Sequence, residues 1–361
     1  MKIASLDKFR DKGLISKIKA KIDKLATEID FCQIMHVCGT HEMSLARWGV
    51  RSLLPENIRL IAGPGCPVCV TPASDVDAVI SLSRQGLGIL TFGDMLRVPS
   101  TFSSLSKEKG KGAEIHVVYG ADNALSIARK NPSRNYIFFS PGFETTAPMT
   151  AYIVKEGLPN NLTVYSSHRL VPPAMEVLMS AEEVKLDGFI LPGHVSTIIG
   201  LRDYRDFVKR HAISCVVAGF EPVDIFKGIY MLLDQVVNGQ ARVDNAYTRV
   251  VTEQGNKVAQ QALNEVFEPV DASWRGLGTF KKSGLELREM YSSVNAKRVH
   301  EIPVVESIDI PKGCSCHKIM IGLIYPQECP LFMKKCRPEQ PVGPCMVGSE
   351  GTCAIQARYS D

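Results

Sequence analysis

The sequence predicts an α/β protein with two doubly wound parallel-sheet domains facing a cleft, followed by a small cysteine-rich C-terminal domain. Three observations carry that reading. From residue 31 onwards, short apolar runs alternate with helix-like segments across glycine-containing loops. Eight such runs occupy 33–37, 59–62, 88–92, 115–119, 136–140, 162–165, 188–191 and 214–218. Six of the eleven cysteines crowd into the last 48 residues.

Continuous rather than alternating apolar runs fit strands buried on both faces, the mark of parallel sheets covered by helices. About eight strands is large for one open sheet and natural for two Rossmann-like sheets of four or five. A break near residues 120–135, at the turn-forming Asn131-Pro132-Ser133, divides the chain into domains 1–125, 126–240 and 241–361. Segments 36–42 and 139–145 both read as strand, glycine turn and polar helix start, a weak echo between the two halves.

Ahead of the first strand, residues 1–30 read as a basic amphipathic helix with Leu14, Ile18, Ile22 and Leu25 on one stripe. Lys and Asp interrupt it too often for a signal peptide. No run of eighteen apolar residues offers a membrane span, so the expected location is the cytoplasm. After Pro222 a helix is expected over 223–238, closed by Gly239, and another over 245–267. From Pro311 onwards Gly, Pro and Cys dominate, and so small and loop-rich a domain needs disulfides or a metal as a staple.

Composition narrows the function. With 45% hydrophobic and 22% charged residues in 361, the chain buries ordinary cores and is neither disordered nor fibrous. A net charge of +4, with no basic run longer than Lys281-Lys282 or Lys334-Lys335, argues against nucleic acid as a partner. The main signatures of phosphate-loop kinases, dinucleotide dehydrogenases, α/β-hydrolases and typical radical enzymes are missing.

The chemistry lies in the loops. In Gly63–Pro72 the strand ends at Ala62, and Thr71 with Pro72 supplies an N-cap and first helical position. The Cys66-x-x-Cys69 pair thus sits just before a helix N-terminus, whose partial charge stabilises thiolate. Such a pair closes a disulfide reversibly or ligates a soft metal, and no second CxxC exists to complete a zinc ribbon. Cys38-Gly39-Thr40-His41-Glu42 is built alike, with Thr40 as the expected N-cap and a surface His-Glu pair behind it. Ligands of open α/β sheets bind beyond the carboxyl ends of the strands. Adjacent first and second strands therefore bring Cys38, Cys66 and Cys69 to one crevice. There three thiolates hold a soft metal, or one holds it while two cycle as a disulfide.

Equivalent tips in the second half carry Glu144 and Thr145 (142–146), His168 (166–169), His194 and Ser196 (193–197) and Glu221 (219–222), and Asp94 follows Phe92-Gly93 in the first. Thr145 and Ser196, taken singly, are equally well explained as helix caps. Together these tips place thiols on one wall of a cleft and Glu and His on the other.

The tail cysteines run Cys314-x-Cys316, Cys329, Cys336, Cys345 and Cys353. Four thiolates hold a [4Fe–4S] cluster, whereas Cys₄ zinc sites use tight CxxC knuckles that are missing here. Six cysteines leave two over as an adjacent redox pair. Three disulfides fit poorly with a reducing compartment.

These motifs, in this order, resemble the HypD-type hydrogenase maturation family, and the resemblance covers nearly the whole chain from about residue 31. It implies a metal-binding maturation scaffold, a metallochaperone for the Fe(CN)₂CO group of [NiFe]-hydrogenases. The implied partners are a small HypC-type chaperone and a HypE-type cyanide donor. By the same resemblance Cys38 is the iron ligand, and Cys66 and Cys69 are further ligands or a redox disulfide. Cys314, Cys329, Cys336 and Cys353 become the [4Fe–4S] ligands, with Cys316 and Cys345 as the redox pair and Cys316 an alternative to Cys314. Thr40, His41, Thr145 and Asp94 are candidates for holding the iron-bound diatomics, and Glu144 and His194 for moving protons. Two other readings stand beside this one: an iron–sulfur thiol–disulfide oxidoreductase and a zinc-stapled interaction module.

Overall fold

The computed structural model describes residues 6–181 and 183–359. The first five residues of the expected 1–30 helix lie outside this range. Asp11 accepts the amide of Leu14 and starts α1 (Lys12–Ala26). On the predicted stripe Ile22 is fully buried, Ile18 and Leu25 are half-buried, and Leu14 is exposed.

The chain continues through β1 (Cys32–His36), α2 (Gly39–Arg47), β2 (Ile58–Ala62), α3 (Pro67–Val70), α4 (Ala73–Arg84), β3 (Gly88–Thr91), α5 (Leu105–Gly110) and β4 (Ile115–Val117). Then come α6 (Ala121–Lys130), β5 (Tyr136–Gly142), α7 (Ala147–Glu156), β6 (Leu162–Arg169), α8 (Val171–Ser180), β7 (Gly188–Pro192), α9 (Gly193–Ile199) and α10 (Arg202–His211). The remainder is β8 (Ser214–Ala218), α11 (Pro222–Val237), β9 (Val243–Asn245), α12 (Lys257–Val266), β10 (Phe267–Trp274), β11 (Gly278–Leu287), α13 (Ala296–Val299), α14 (Cys316–Met320) and α15 (Thr352–Tyr359). All eight apolar runs form strands. Helix α1 packs on α11.

The strands assemble into two sheets, as the α/β reading requires. One has the order β2-β1-β7-β8-β9 and is parallel throughout. The other has the order β10-β11-β6-β5-β3-β4, parallel from β6 to β4 with an antiparallel hairpin added at its edge. The two sheets interleave along the chain. The chain leaves the first sheet after β2, returns to it after β6, and crosses back for β10 and β11. Parallel neighbours are joined by crossovers rather than tight turns, so an apolar run reports its own burial without revealing its sheet.

The second expected helix is shorter than predicted. Asn256 accepts the amide of Ala259 and starts α12 at Lys257, while the preceding residues form β9 and a loop. The hairpin β10–β11 was not foreseen. It is only partly buried and carries a register shift between Val270 and Ala272.

The cysteine-rich C-terminal region shares its core with the rest of the molecule. Cys66, Cys69, Phe143, Trp274 and Phe280 belong to one apolar cluster with all six tail cysteines. Helix α3 lies against β5, and α15 against α2. The tail is thereby seated where the carboxyl ends of the two sheets meet.

Candidate metal and thiol site

Cys38 ends the extended stretch after β1 and is itself the residue that caps α2. Thr40, the expected cap, lies in the first turn and donates its hydroxyl to Glu350 Oε1 at 2.7 Å. The Cys38 thiol is buried. Burial first, and nearby Glu350 second, push it up to about 12, against amide hydrogen bonds from His41 and Thr40 and one from the Thr40 side chain. A bound cation would replace that proton and reverse the balance.

Gly65 brings the second thiol loop onto the first. Gly39 N–H donates to Gly65 O at 3.0 Å, and a Cβ at Gly65 would fall 2.2 Å from Cys38 N. The next residue, Cys66, accepts the amide of Cys69 and so caps α3. Thr71 instead closes that short helix by donating to Pro67 O at 2.9 Å, and Asp309 Oδ1 takes the Ala73 amide at the start of α4. Cys66 and Cys69 are joined as a disulfide. Among the described residues no three His, Cys, Asp or Glu side chains are arranged to hold a metal ion as they stand.

His41 and Glu42 are both buried and do not pair with each other, which corrects the expected surface pair. His41 Nε2 lies 3.2 Å from Ala218 O and 3.1 Å from Gly219 O, so that nitrogen carries the proton. Its Nδ1 is buried without a partner among the described residues. Burial, then the charge of His36, lower its basicity to about 3. His41 Nδ1 is therefore an acceptor. Glu42 accepts from His36 Nε2 at 2.8 Å, Arg51 Nη1 at 3.0 Å, Arg51 Nη2 at 2.6 Å and Gln356 Nε2 at 2.7 Å. Burial works against its charge, but Arg51 and the His36 hydrogen bond hold the carboxyl well below the usual range. His36 Nδ1 reaches Cys38 O at 3.1 Å, which ties this network to the backbone of Cys38.

The opposite wall is only partly as expected. Glu144 Oε1 accepts the Val171 amide at 2.9 Å where α8 begins, and Oε2 has no partner among the described residues. Burial pushes this carboxyl up to about 8. It forms part of the wall of a cavity of about 1300 Å³ lined by α8, α10, α12 and β10. His194 is exposed and stacks on Phe220 at 4.1 Å between centroids, and Phe220 lies 4.9 Å from the His41 ring. Thr145 is half-buried in the turn before α7.

The remaining tips are structural. Ser166–Arg169 continues β6 instead of forming a loop. Tyr165, Ser167 and Arg169 all bond Asp75 of α4, and His168 lies buried between Ser140 and Ser166. Ser196 donates to Pro192 O, while Glu221 caps α11 and pairs with Arg10 at 2.5 Å. Asp94 Oδ2 receives the amide and hydroxyl of Ser349 at 3.0 and 3.1 Å, so it clasps the tail loop.

In the tail all six cysteines are buried and free of disulfides. Cys314 and Cys316 sulfurs are 3.3 Å apart. The Cys316 thiol also interacts with Cys345 and Cys353, and Cys345 with Cys353. Sharing a proton with Cys316 lowers Cys314 and raises Cys316. Cys336 Sγ accepts the Val342 amide at 3.3 Å and lies within electrostatic range of Cys353. Cys329 shares the apolar cluster of the other tail cysteines, and its carbonyl accepts the Phe332 amide at 3.0 Å.

Two residues escaped the sequence reading. Glu350 sits on Gly39, whose Cβ would meet the Glu350 Cβ at 2.4 Å, yet it lies 310 residues from its partner Thr40. Arg275 is fully buried behind the CxxC, and no motif announces it.

A family profile described as "HypD: Hydrogenase formation hypA family" matches residues 13–360. The chain belongs to the HypD family of hydrogenase maturation factors. It is 45% identical over 352 residues to a putative hydrogenase expression/formation protein of Methanocaldococcus jannaschii, covering 97% of this chain and 98% of the relative. It is 40% identical over 366 residues to the hydrogenase expression/formation protein HupD of Azotobacter chroococcum, covering 98% and 96%. The hydrogenase maturation factor HypD of Cupriavidus necator is 40% identical over 369 residues, at the same coverage. Among the described residues no helix is long and apolar enough to cross a membrane.

Proposed function

We propose that this member of the HypD family is the scaffold on which the Fe(CN)₂CO group of [NiFe]-hydrogenases is assembled, with Cys38 as the protein's ligand to the iron. The observation that carries this reading is the setting of Cys38. Its buried thiol heads α2, Gly65 of the CxxC loop rests on its backbone, and six free cysteines share one core with Cys66 and Cys69 of that loop. Low-spin iron bearing cyanide and carbonyl is soft and suits a thiolate. The amides of Thr40 and His41 already point at that sulfur, as donors for anionic ligands at a helix N-terminus. The His41 ring, by contrast, offers an acceptor. In this reading Glu144, neutral at pH 7, supplies a proton to the transfer of cyanide, and His194 exchanges protons with solvent. Thr145 and Asp94 act by shaping the adjoining loops.

The tail fits a [4Fe–4S] cluster. Its donors are free thiols, and a Cβ at Gly343 would strike the Cys316 and Cys314 sulfurs at 2.5 and 2.6 Å. Two buried polar atoms near Cys316, Arg275 Nη1 and His317 Nδ1, lack partners among the described residues. The ligands we assign are Cys314, Cys329, Cys336 and Cys353, with Cys316 and Cys345 as the redox pair. When bound, the cluster supplies one-electron transfer. In this reading Cys316 and Cys345, whose thiols interact, pass reducing equivalents to the Cys66–Cys69 disulfide.

The partners are a HypC-type chaperone that shares the iron and a HypE-type protein that donates cyanide. Nine free cysteines among the eleven support a reducing compartment, the cytoplasm. One feature favours a second reading as a thiol–disulfide oxidoreductase: the Cys66–Cys69 disulfide shares one core with the tail thiols. Anaerobic co-purification with the chaperone, followed by iron counting and infrared spectroscopy, separates the two. The scaffold carries iron beyond the cluster together with cyanide and carbonyl stretches. A cluster-bearing protein without those bands is the oxidoreductase, and a colourless zinc protein is neither.

A further inference from the structure

We propose that Arg275 is the buried counter-charge of the tail cysteine site, fixed between the Cys66–Cys69 helix and the tail thiols so that it stabilises the reduced form of the centre they hold. The proposal rests on the reading of the tail as a cluster site.

Arg275 lies in the turn of the β10–β11 hairpin and is completely inaccessible. Its place is fixed on both sides. The Trp274 ring lies stacked between Phe143 and Phe280 at 6.0 and 5.4 Å. The Arg275 amide donates to Val70 O at 2.9 Å, one residue beyond Cys69. Gly276 adopts a φ of +68°, and a Cβ there would lie 3.2 Å from the Cβ of His317, the residue after Cys316. The turn therefore touches the CxxC helix with one residue and the start of α14 with another.

Among the described residues no carboxylate hydrogen-bonds the guanidinium, although the Asp309 carboxylate lies within its electrostatic range. Nε donates to Asp309 O at 2.8 Å and Nη2 to Pro99 O at 2.6 Å, both backbone carbonyls. The Asp309 carboxylate oxygens are taken by the amides of Ala73 and Gly276. Nη1 is buried with no partner among the described residues. A cation buried in this way is strongly destabilising unless a negative group faces it. Besides Asp309, the groups in its electrostatic range are Cys316, Cys345 and Cys314. Thiolates there, and a cluster held through Cys314, add to the negative charge of Asp309 that faces it. When such a centre accepts one electron from a mediator its net charge falls by one. A fixed cation stabilises that more negative state and raises the midpoint potential. The guanidinium does this at every accessible pH, because it does not give up its proton.

The test is a mediated redox titration of the full-length, cluster-reconstituted chain followed by electron paramagnetic resonance. R275Q should shift the oxidised-to-reduced ratio at fixed potential at least tenfold towards oxidised, a fall of 59 mV for a one-electron couple. R275K, which keeps the charge, should stay near wild type. Equal midpoints for R275Q and wild type would overturn the proposal. If R275Q does not fold, wild-type protein grown with ¹⁵N-guanidino arginine decides the matter. Pulsed resonance on the reduced cluster should show a weakly coupled arginine nitrogen, and its absence would likewise overturn the proposal. A wild-type chain that binds no cluster at all would sink the underlying reading of the tail, which is a distinguishable result.

Discussion

Gly65 rests on the backbone of Cys38: a single added carbon on Gly65 would sit 2.2 Å from the Cys38 amide nitrogen and 2.4 Å from its Cα. The two thiol loops can meet only because position 65 has no side chain. Gly65→Ala must push them apart, at about 1–3 kcal/mol of overpacking strain, and should abolish iron retention at Cys38. Gly110→Ala meets nothing within 4 Å and should be silent. Urea denaturation and iron counting on both variants check this.

Glu144 makes the fold sensitive to alkali. Its folded value of about 8 lies above the ordinary 4.5 of a glutamate, so the folded state holds a proton that the unfolded chain releases. Stability is full below pH 4.5, falls as pH rises, and levels off above about 8. Glu144→Gln removes the loss, by up to about 5 kcal/mol at pH 9 and almost nothing at pH 4. Anaerobic urea titrations at the two pH values measure it. Equal differences at both would show that Glu144 ionises normally.

Removing the Glu42 carboxylate strands three donor side chains. Glu42→Ala leaves Arg51, His36 and Gln356 without their common acceptor and should cost about 3–5 kcal/mol. Because His36 also holds Cys38 O, iron binding should weaken along with stability. An intact urea midpoint would mean that the network contributes little.

The ligand assignment in the tail is testable one cysteine at a time. Cys353→Ala should bleach the cluster absorption, and Cys345→Ala should leave it visible while slowing reduction of the Cys66–Cys69 pair. Visible spectra and thiol counting of reconstituted protein discriminate the two roles. A cluster that survives Cys353→Ala would refute this choice of ligands.

Much of this was legible in the residues themselves. The apolar runs mark the strands because parallel strands are buried on both faces, and the cysteine loops fall at strand ends where turns need glycine. What escaped is long-range. β3 pairs with β5 and β1 with β7, choices made by crossover packing and not by any local pattern. Ser167 and His168 looked like loop residues because polar side chains inside a strand, satisfied here by Asp75 and Ser166, break the apolar run. Thr71 and Thr40 were read as caps from their type, yet Pro72 and Cys38 fill those positions. Glu350 and Arg275 reach the thiols only through tertiary contacts.

The most direct test is the infrared spectrum of the chain purified anaerobically with its chaperone, alongside Cys38→Ala. Wild type should show cyanide and carbonyl stretches and iron in excess of the cluster. The variant should lose both features and keep the cluster's visible absorption. A wild-type sample without the stretches, or a variant that retains them, would contradict the assignment of Cys38 as the iron ligand of an assembly scaffold.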